Sequence, residues 1–227
     1  FDVFVEYAKA DADDILIKIT VANRGAETAR INILPTVWFR NTWSWEAQSS
    51  ESQVPSLKLS DSDENTIDVG RKYRLFCEDA DELLFCENNT NRQRLYGAEN
   101  ETPFVKDGIN DYVVAGDKSA VNPAQIGTKA AAHYVFELQA KESCTIYLRL
   151  IEKDLQSRDA ETQREHSVRN EEEKSINKNS ASLRRGVEEI FAKRISEADE
   201  FYASITPENL TADEKNVMRQ SLAGMLW

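Results

Sequence analysis

The chain has 227 residues, of which 41% are hydrophobic and 30% are charged, and its formal net charge is −12. A field of that sign repels phosphate backbones and anionic lipid, so neither nucleic acid nor a membrane surface is expected as a partner. No run of residues approaches the roughly 20 apolar positions of a membrane helix. A cytoplasmic location is expected, with a periplasmic or secreted one left open.

Short strands are predicted along the first part of the chain. Apolar and polar residues alternate over 1–8 and 15–21, and a hairpin is predicted from 134–138 to 146–150. Pro35 favours an edge strand or a bulge. Strands without intervening helices predict a mainly-β fold, an antiparallel β-sandwich over residues 1–154. The positions expected to be buried are apolar residues of these strands: Ile15, Ile17, Ile19, Val21, Tyr134, Phe136, Ile146 and Leu148.

The pattern changes after residue 154. Residues 155–182 mix charges with Gln, Asn and Ser, which predicts a charged linker or insertion that is mobile or poorly packed. Apolar residues then recur at steps of three and four over 183–205, as in an amphipathic helix. Thr211 and Glu214 have the spacing of a capping box before a second helix, over 212–227.

That second helix has an apolar stripe that runs to the last residue of the sequence. We therefore expect the natural protein to continue beyond this chain, and we predict that the chain alone could self-associate through the stripe. The stripe consists of Val217, Met218, Leu222, Met225 and Leu226.

An aromatic cluster is the most unusual local feature. Trp38, Trp43 and Trp45 lie close together, beside Arg40 and Asn41. Their rings could stack on sugar, on a partner domain or on one another. Packing in a core or a domain interface is favoured over direct ligand contact.

A second group of candidates lies in one predicted loop. Lys106, Asp107 and Asp111 place a lysine and two carboxylates close together, which could serve general acid and base chemistry if they faced a pocket. Salt bridges within the loop and helix capping explain the same residues equally well.

The sequence predicts neither a metal site nor a cofactor. His133 and His166 are the only histidines and do not have the spacing of metal ligands. Cys77, Cys86 and Cys144 are an odd number without a close CxxC pair, so buried reduced thiols are expected.

Five long segments, in order along the chain, resemble bacterial members of glycoside hydrolase family 63, the family of processing α-glucosidases. The resemblance is interrupted by an acidic stretch at 46–68 and by the charged stretch at 155–182, which look like insertions. The resembling segments are FDVFVEYAKA at 1–10, ILPTVWFRNTWSW at 33–45, FVKDGINDYVV at 104–114, AVNPAQIGTKAAAHY at 120–134 and EADEFYASITPENLTADEKNVMRQSLAGMLW at 197–227.

The resemblance implies an N-terminal β-sandwich packed on a C-terminal six-hairpin (α/α) barrel. Residues 183–227 would then form a helical linker and the first helix of a truncated barrel. It also implies an inverting mechanism, in which one carboxylic acid protonates the leaving oxygen and one carboxylate activates water. Both groups belong to the barrel, so no residue of this chain is expected to be catalytic.

The leading interpretation is a non-catalytic domain of an O-glycosyl hydrolase, inactive by itself. Its expected partners are the barrel domain of the same polypeptide and the oligosaccharide substrate of the parent enzyme. The alternative is a stand-alone carbohydrate-binding sandwich that holds sugar with exposed tryptophans. Burial of Trp38, Trp43 and Trp45 would favour the first, and a flat exposed row would favour the second.

Overall fold

A computed structural model gives the fold of this chain. The chain divides into two units, Phe1–Ser175 and Ile176–Trp227. Each unit is considered by itself below. The structure describes residues 1–42, 55–61, 63–153 and 178–226.

The first unit contains two antiparallel sheets, as the alternating sequence predicts. One sheet has seven strands in the order β1-β2-β11-β7-β6-β5-β9; in the other, β10 pairs with β3, β4 and β8. The strands are β1 (Asp2–Asp11), β2 (Asp14–Ala22), β3 (Ala29–Ile33), β4 (Thr36–Trp38), β5 (Leu57–Ser60), β6 (Asp63–Val69), β7 (Tyr73–Cys77), β8 (Glu82–Cys86), β9 (Ile126–Gly127), β10 (Lys129–Leu138) and β11 (Ser143–Glu152).

One apolar core joins the two sheets into a sandwich. Val21 and Leu148 of the large sheet share it with Phe85 and Tyr134 of the small sheet. The mainly-β prediction is confirmed. Of the eight positions expected to be buried, five are buried, namely Ile19, Val21, Tyr134, Ile146 and Leu148, and three are half-buried, namely Ile15, Ile17 and Phe136.

Pro35 lies at a break in the strand that pairs with β10. β3 pairs with residues 134–138 of β10 and β4 with residues 129–131. Between them, the Ala132 N–H donates to the Pro35 carbonyl oxygen at 3.0 Å. The irregularity that proline predicts therefore lies at the junction of β3 and β4.

β1 differs from the expectation of a half-buried strand. Ala8 is its only buried residue, and Val3, Val5 and Tyr7 are exposed although they alternate as the sequence requires. The small sheet has fewer strands than the large one and leaves this end of it uncovered. Alternation thus predicted the strand correctly and its burial wrongly.

The second unit contains two helices, α3 (Lys178–Ile205) and α4 (Ala212–Leu226). α3 begins at Lys178, so its first residues, 178–182, fall within the stretch predicted as linker or insertion. Those residues are Lys, Asn, Ser, Ala and Ser, which give no apolar periodicity to mark the first turn. The remainder of the predicted linker, 155–177, lies outside the described residues.

The predicted capping box is present at the start of α4. The Thr211 N–H donates to Glu214 Oε2 at 2.8 Å, and the Glu214 N–H donates to Thr211 Oγ1 at 3.3 Å. Of the apolar stripe of α4, Val217 and Met225 are exposed. Self-association through that stripe stays a prediction. Neither helix has a stretch apolar enough to cross a membrane, and the same holds for the other helices that the structure describes.

Candidate functional site

The outer face of the small sheet is covered by residues 104–121, here called the covering segment. It contains α2 (Gly108–Asn110), a π-helical turn (Asp111–Ala115) and a 3₁₀ turn (Lys118–Ala120). Its apolar residues form a second cluster with the sheet, separate from the main core, through Ile109, Val121, Leu84, Cys86 and Ala131.

Two glycines allow the backbone to pass closely in this region. A Cβ on Gly127 would lie 2.3 Å from the carbonyl oxygen of Cys86, and one on Gly108 would lie 2.1 Å from that of Ala120. Real carbon and oxygen atoms do not approach so closely, so no other residue fits either position without a shift of backbone. The covering segment and the start of β10 are therefore fixed by contacts that only glycine permits.

A partly buried hydrogen-bond network around the buried His133, here called the His133 network, fastens the covering segment to the sheet. His133 Nδ1 lies 2.7 Å from Glu82 Oε1, and its Nε2 lies 2.9 Å from Asn32 Oδ1. The Tyr112 hydroxyl donates to Glu82 Oε2 at 2.6 Å. That hydrogen bond, assisted by partial burial, raises the pKa of Tyr112 to about 12. Tyr112 is thus a donor that holds the loop rather than an activated nucleophile.

Sequence reasoning missed the His133 network. The sequence feature that could have indicated it is His133 itself, which lies within the apolar run Ala130–Tyr134. A polar side chain in such a run is buried with the strand and requires hydrogen-bond partners. The partners themselves come from distant positions: Glu82 and Asn32 are 51 and 101 residues from His133.

Asp107 and Asp111 are held by an arginine that the sequence did not single out. Arg94 Nη1 lies 3.1 Å from Asp107 Oδ2 and 3.6 Å from Asp111 Oδ1. Asn91 Nδ2 also donates to Asp107, at 3.1 Å. The interpretation as loop salt bridges agrees with this geometry, whereas a general acid and base pair needs carboxyl groups that are available for proton transfer.

Lys106 and Asn41 connect the covering segment and the end of β4 to the chain that follows β8. Lys106 Nζ donates to Thr90 Oγ1 at 3.3 Å, and Lys129 Nζ donates to the Lys106 carbonyl oxygen at 2.7 Å. Asn41 Nδ2 donates to Asn89 Oδ1 at 2.9 Å. Both residues therefore have roles in joining loops.

The aromatic cluster is only partly described. Trp38 ends β4, pairs with Lys129 and is 58% exposed. Arg40 is also exposed. Trp43 and Trp45 lie outside the described residues. The comparison of buried and exposed tryptophans, which separates a supporting domain from a sugar-binding one, can therefore be made for Trp38 alone, and Trp38 is exposed.

A polar cleft of about 580 Å³ opens beside Arg94. Asn100 stands at its rim, where its Oδ1 accepts from the backbone N–H groups of Arg92 and Gln93 at the start of α1 (Arg92–Tyr96). The lining consists mainly of amide, hydroxyl and carboxylate groups. Such a lining suits a neutral, hydroxyl-rich ligand better than an anion, because Arg94 already faces two carboxylates.

The cysteines are poor nucleophiles in this fold. Cys77 and Cys86 are buried, and burial raises the pKa of their thiols to about 12 and about 11. Cys144 is half-buried and its pKa is raised for the same reason. All three are unpaired, as expected. The described residues also contain no cluster of His, Cys, Asp and Glu that could hold a metal ion.

Comparison with known proteins gives one distant relative. The whole chain aligns with the uncharacterized protein YMR196W of Saccharomyces cerevisiae, at 29% identity over 262 residues. The aligned region is 22% of the yeast protein, so this chain spans about a fifth of its relative's length. No family model and no solved structure matches the chain.

Proposed function

We propose that this chain is the non-catalytic β-sandwich of a long carbohydrate-cleaving enzyme, similar to glycoside hydrolase family 63, in which the catalytic carboxylates are supplied by a separate helical barrel. Its role is to support that barrel and to border the sugar site with the covering segment and the aromatic cluster. The resemblance of the five sequence segments motivates the proposal, and the yeast relative fits it because it too is a much longer polypeptide.

One structural observation carries the proposal. The described parts of three resembling segments, 33–42, 104–114 and 120–134, meet at one end of the small sheet. Trp38 pairs with Lys129, which joins the first segment to the third. Lys129 Nζ donates to the carbonyl oxygen of Lys106, which joins the third to the second. That three of the five resembling segments come together in space supports a shared functional surface.

The chemistry of this surface fits a supporting role. Asp107 and Asp111 both contact Arg94, so each carboxylate has a partner within the loops of this unit. Tyr112 is a hydrogen-bond donor with a raised pKa. Under the proposal, hydrolysis is performed by groups outside this chain.

The experiment compares this chain with the intact yeast relative on α-linked glucose disaccharides and nitrophenyl α-glucoside. We expect turnover by the yeast protein, with an inverted anomer visible by NMR, and none by this chain. Two results would contradict the proposal. One is failure of the yeast protein on every α-glucoside, and the other is hydrolysis by this chain that disappears on substitution of one of its own carboxylates.

The exposure of Trp38 favours a second candidate, a sandwich that binds carbohydrate by itself. An exposed indole can stack on a sugar ring, with a contribution of about 1–3 kcal/mol if the ring packs fully. Calorimetric titration with maltooligosaccharides would detect it. Binding that is lost in Trp38→Ala but kept in Tyr96→Ala, at another exposed aromatic residue of the same unit, supports this candidate over the first.

A further inference from the structure

From Asp2 to Ala8, β1 has an edge that no described strand occupies. β1 pairs with β2 along its other edge and stands at the end of the seven-stranded sheet. About half of the backbone N–H and C=O groups of an edge strand point away from its neighbour, towards the open edge. Natural proteins usually protect such an edge, because it readily adds a further strand.

An apolar groove lies beside the same strand. Its volume is about 410 Å³, and Val3, Val5 and Tyr7 of β1 form one wall. The opposite wall is the junction of β3 and β4, with Ile33 and Pro35. Val5 is 48% exposed and Tyr7 is 60% exposed. Apolar side chains on alternate positions of an edge strand fit a partner that is itself extended and apolar at every second residue.

The comparison with yeast indicates where such a partner can come from. In the yeast protein the region that matches this whole chain is only 22% of the polypeptide, so most of that polypeptide is tethered to it. A tethered segment docks at a high effective concentration and avoids most of the entropic cost of bringing two molecules together. A second copy paired at β1 is disfavoured, since pairing along that edge brings together two chains that each carry a charge of −12.

We infer that β1 is the docking edge for one β-strand from another part of the same long polypeptide, a strand whose alternate apolar side chains fill the groove beside Val5. The inference rests on the part of the proposed function that makes this chain a module of a longer protein. It does not rest on the glycosidase chemistry. Docking by strand addition extends the large sheet by one strand and covers the apolar residues that the small sheet leaves exposed.

Hydrogen–deuterium exchange on this chain and on the intact yeast protein tests the inference. In this chain we expect peptides of β1 to exchange much faster than peptides of β2, which is paired on both edges. In the yeast protein the segment aligned with β1 should exchange about 100-fold more slowly than β1 does here, close to the segment aligned with β2. Equal exchange of β1 and its aligned segment would overturn the inference.

A pair of variants identifies the docking face. In the yeast protein, lysine at the position aligned with Val5 should remove the protection, because Val5 faces the groove. Lysine at the position aligned with Glu6, which points to the opposite side of the strand, should keep it. Loss of protection in both variants, or in neither, would contradict docking in the groove.

Light scattering of this chain decides the case of a second copy. Fast exchange in β1 agrees with the inference whether the chain is a monomer or a dimer formed through α4, whereas a dimer with protected β1 amides would overturn it. The proposed function can fail separately. If the yeast protein hydrolyses no α-glucoside while the segment aligned with β1 is protected, the glycosidase proposal is wrong and the docking edge remains.

Discussion

The outer face of the small sheet and the β1 end of the large sheet both come from strands with apolar residues at alternate positions, yet they differ in the structure. The first is covered by residues 104–121 and the second is exposed. The covered face contains the buried His133, whose partner Glu82 also accepts from Tyr112 of the covering segment, whereas the exposed strand offers Val3, Val5 and Tyr7. The covering segment therefore lies where the sheet has a buried polar group that needs partners.

The two regions also differ in how specific their contacts are. Under the covering segment, both ring nitrogens of His133 and the Tyr112 hydroxyl have definite partners at 2.6–2.9 Å. The buried His133 tolerates few other arrangements, because leaving one of its nitrogens unpaired costs free energy. β1 presents apolar side chains and backbone groups, which accept any strand of suitable pattern. Substitutions in the covered region should therefore cost far more than substitutions in β1.

The largest effect is expected for Gly127→Ala. The new methyl group would lie 2.3 Å from the Cys86 carbonyl oxygen, so backbone must move, at a cost of about 3 kcal/mol. Urea denaturation followed by circular dichroism measures the free energy of unfolding. Gly116→Ala is the control, because Gly116 has a φ of +71° but no heavy atom near the added methyl; it should lose about 1 kcal/mol from strain alone. Equal losses in the two variants would contradict the close approach.

The second-largest loss in free energy of unfolding is expected when a buried valine is shortened, and an exposed valine of the neighbouring strand provides the comparison. Val21→Ala removes two methyl groups from a fully buried site in β2, with an expected loss of about 2 kcal/mol. Val5→Ala, on exposed β1, should change the free energy of unfolding by less than about 0.5 kcal/mol. The same urea experiment measures both. A loss at Val5 as large as that at Val21 would show that β1 is covered in the isolated chain.

A smaller effect is expected for Tyr112→Phe, which removes the hydroxyl that donates to Glu82. Loss of a hydrogen bond to a charged acceptor should cost about 1.5 kcal/mol and loosen the covering segment, visible as faster amide exchange there. Tyr134→Phe is the matched control. The Tyr134 hydroxyl is buried and has no hydrogen-bond partner among the described residues, so its removal should be neutral or slightly stabilising. The opposite ranking would contradict the network.

The sequence predicted the strands because their signal is local. The alternation in 15–21 identified β2, and the capping box at Thr211 identified the start of α4. Asp107 and Asp111 were found because they are close in sequence. Their partner Arg94 was not found, since it is 13 residues from Asp107. The partner of His133, Asn32, is 101 residues away and was not found either. Exposure of β1 depends on the width of the opposite sheet, which no local pattern encodes.

The smallest effect concerns a carboxylate whose hydrogen bonds lie in solvent. Glu214 accepts from the backbone N–H and then from the hydroxyl of Thr211, and this lowers its pKa below the usual 4.5. The hydrogen bonds therefore stabilise α4 fully above that usual value, and the contribution is lost as the pH falls through the lowered pKa. Glu214→Gln keeps an acceptor oxygen but cannot titrate, so it should remove the part of the pH dependence of α4 helicity that Glu214 contributes and leave the part from other carboxylates such as Asp213, whereas Glu214→Ala should lose the cap at every pH. NMR titration of the Glu214 carboxyl measures the pKa directly. A Glu214 pKa at or above 4.5 would contradict the cap. A loss in free energy of unfolding for Glu214→Ala as large as that for Tyr112→Phe would show that exposure to water weakens such a hydrogen bond less than expected.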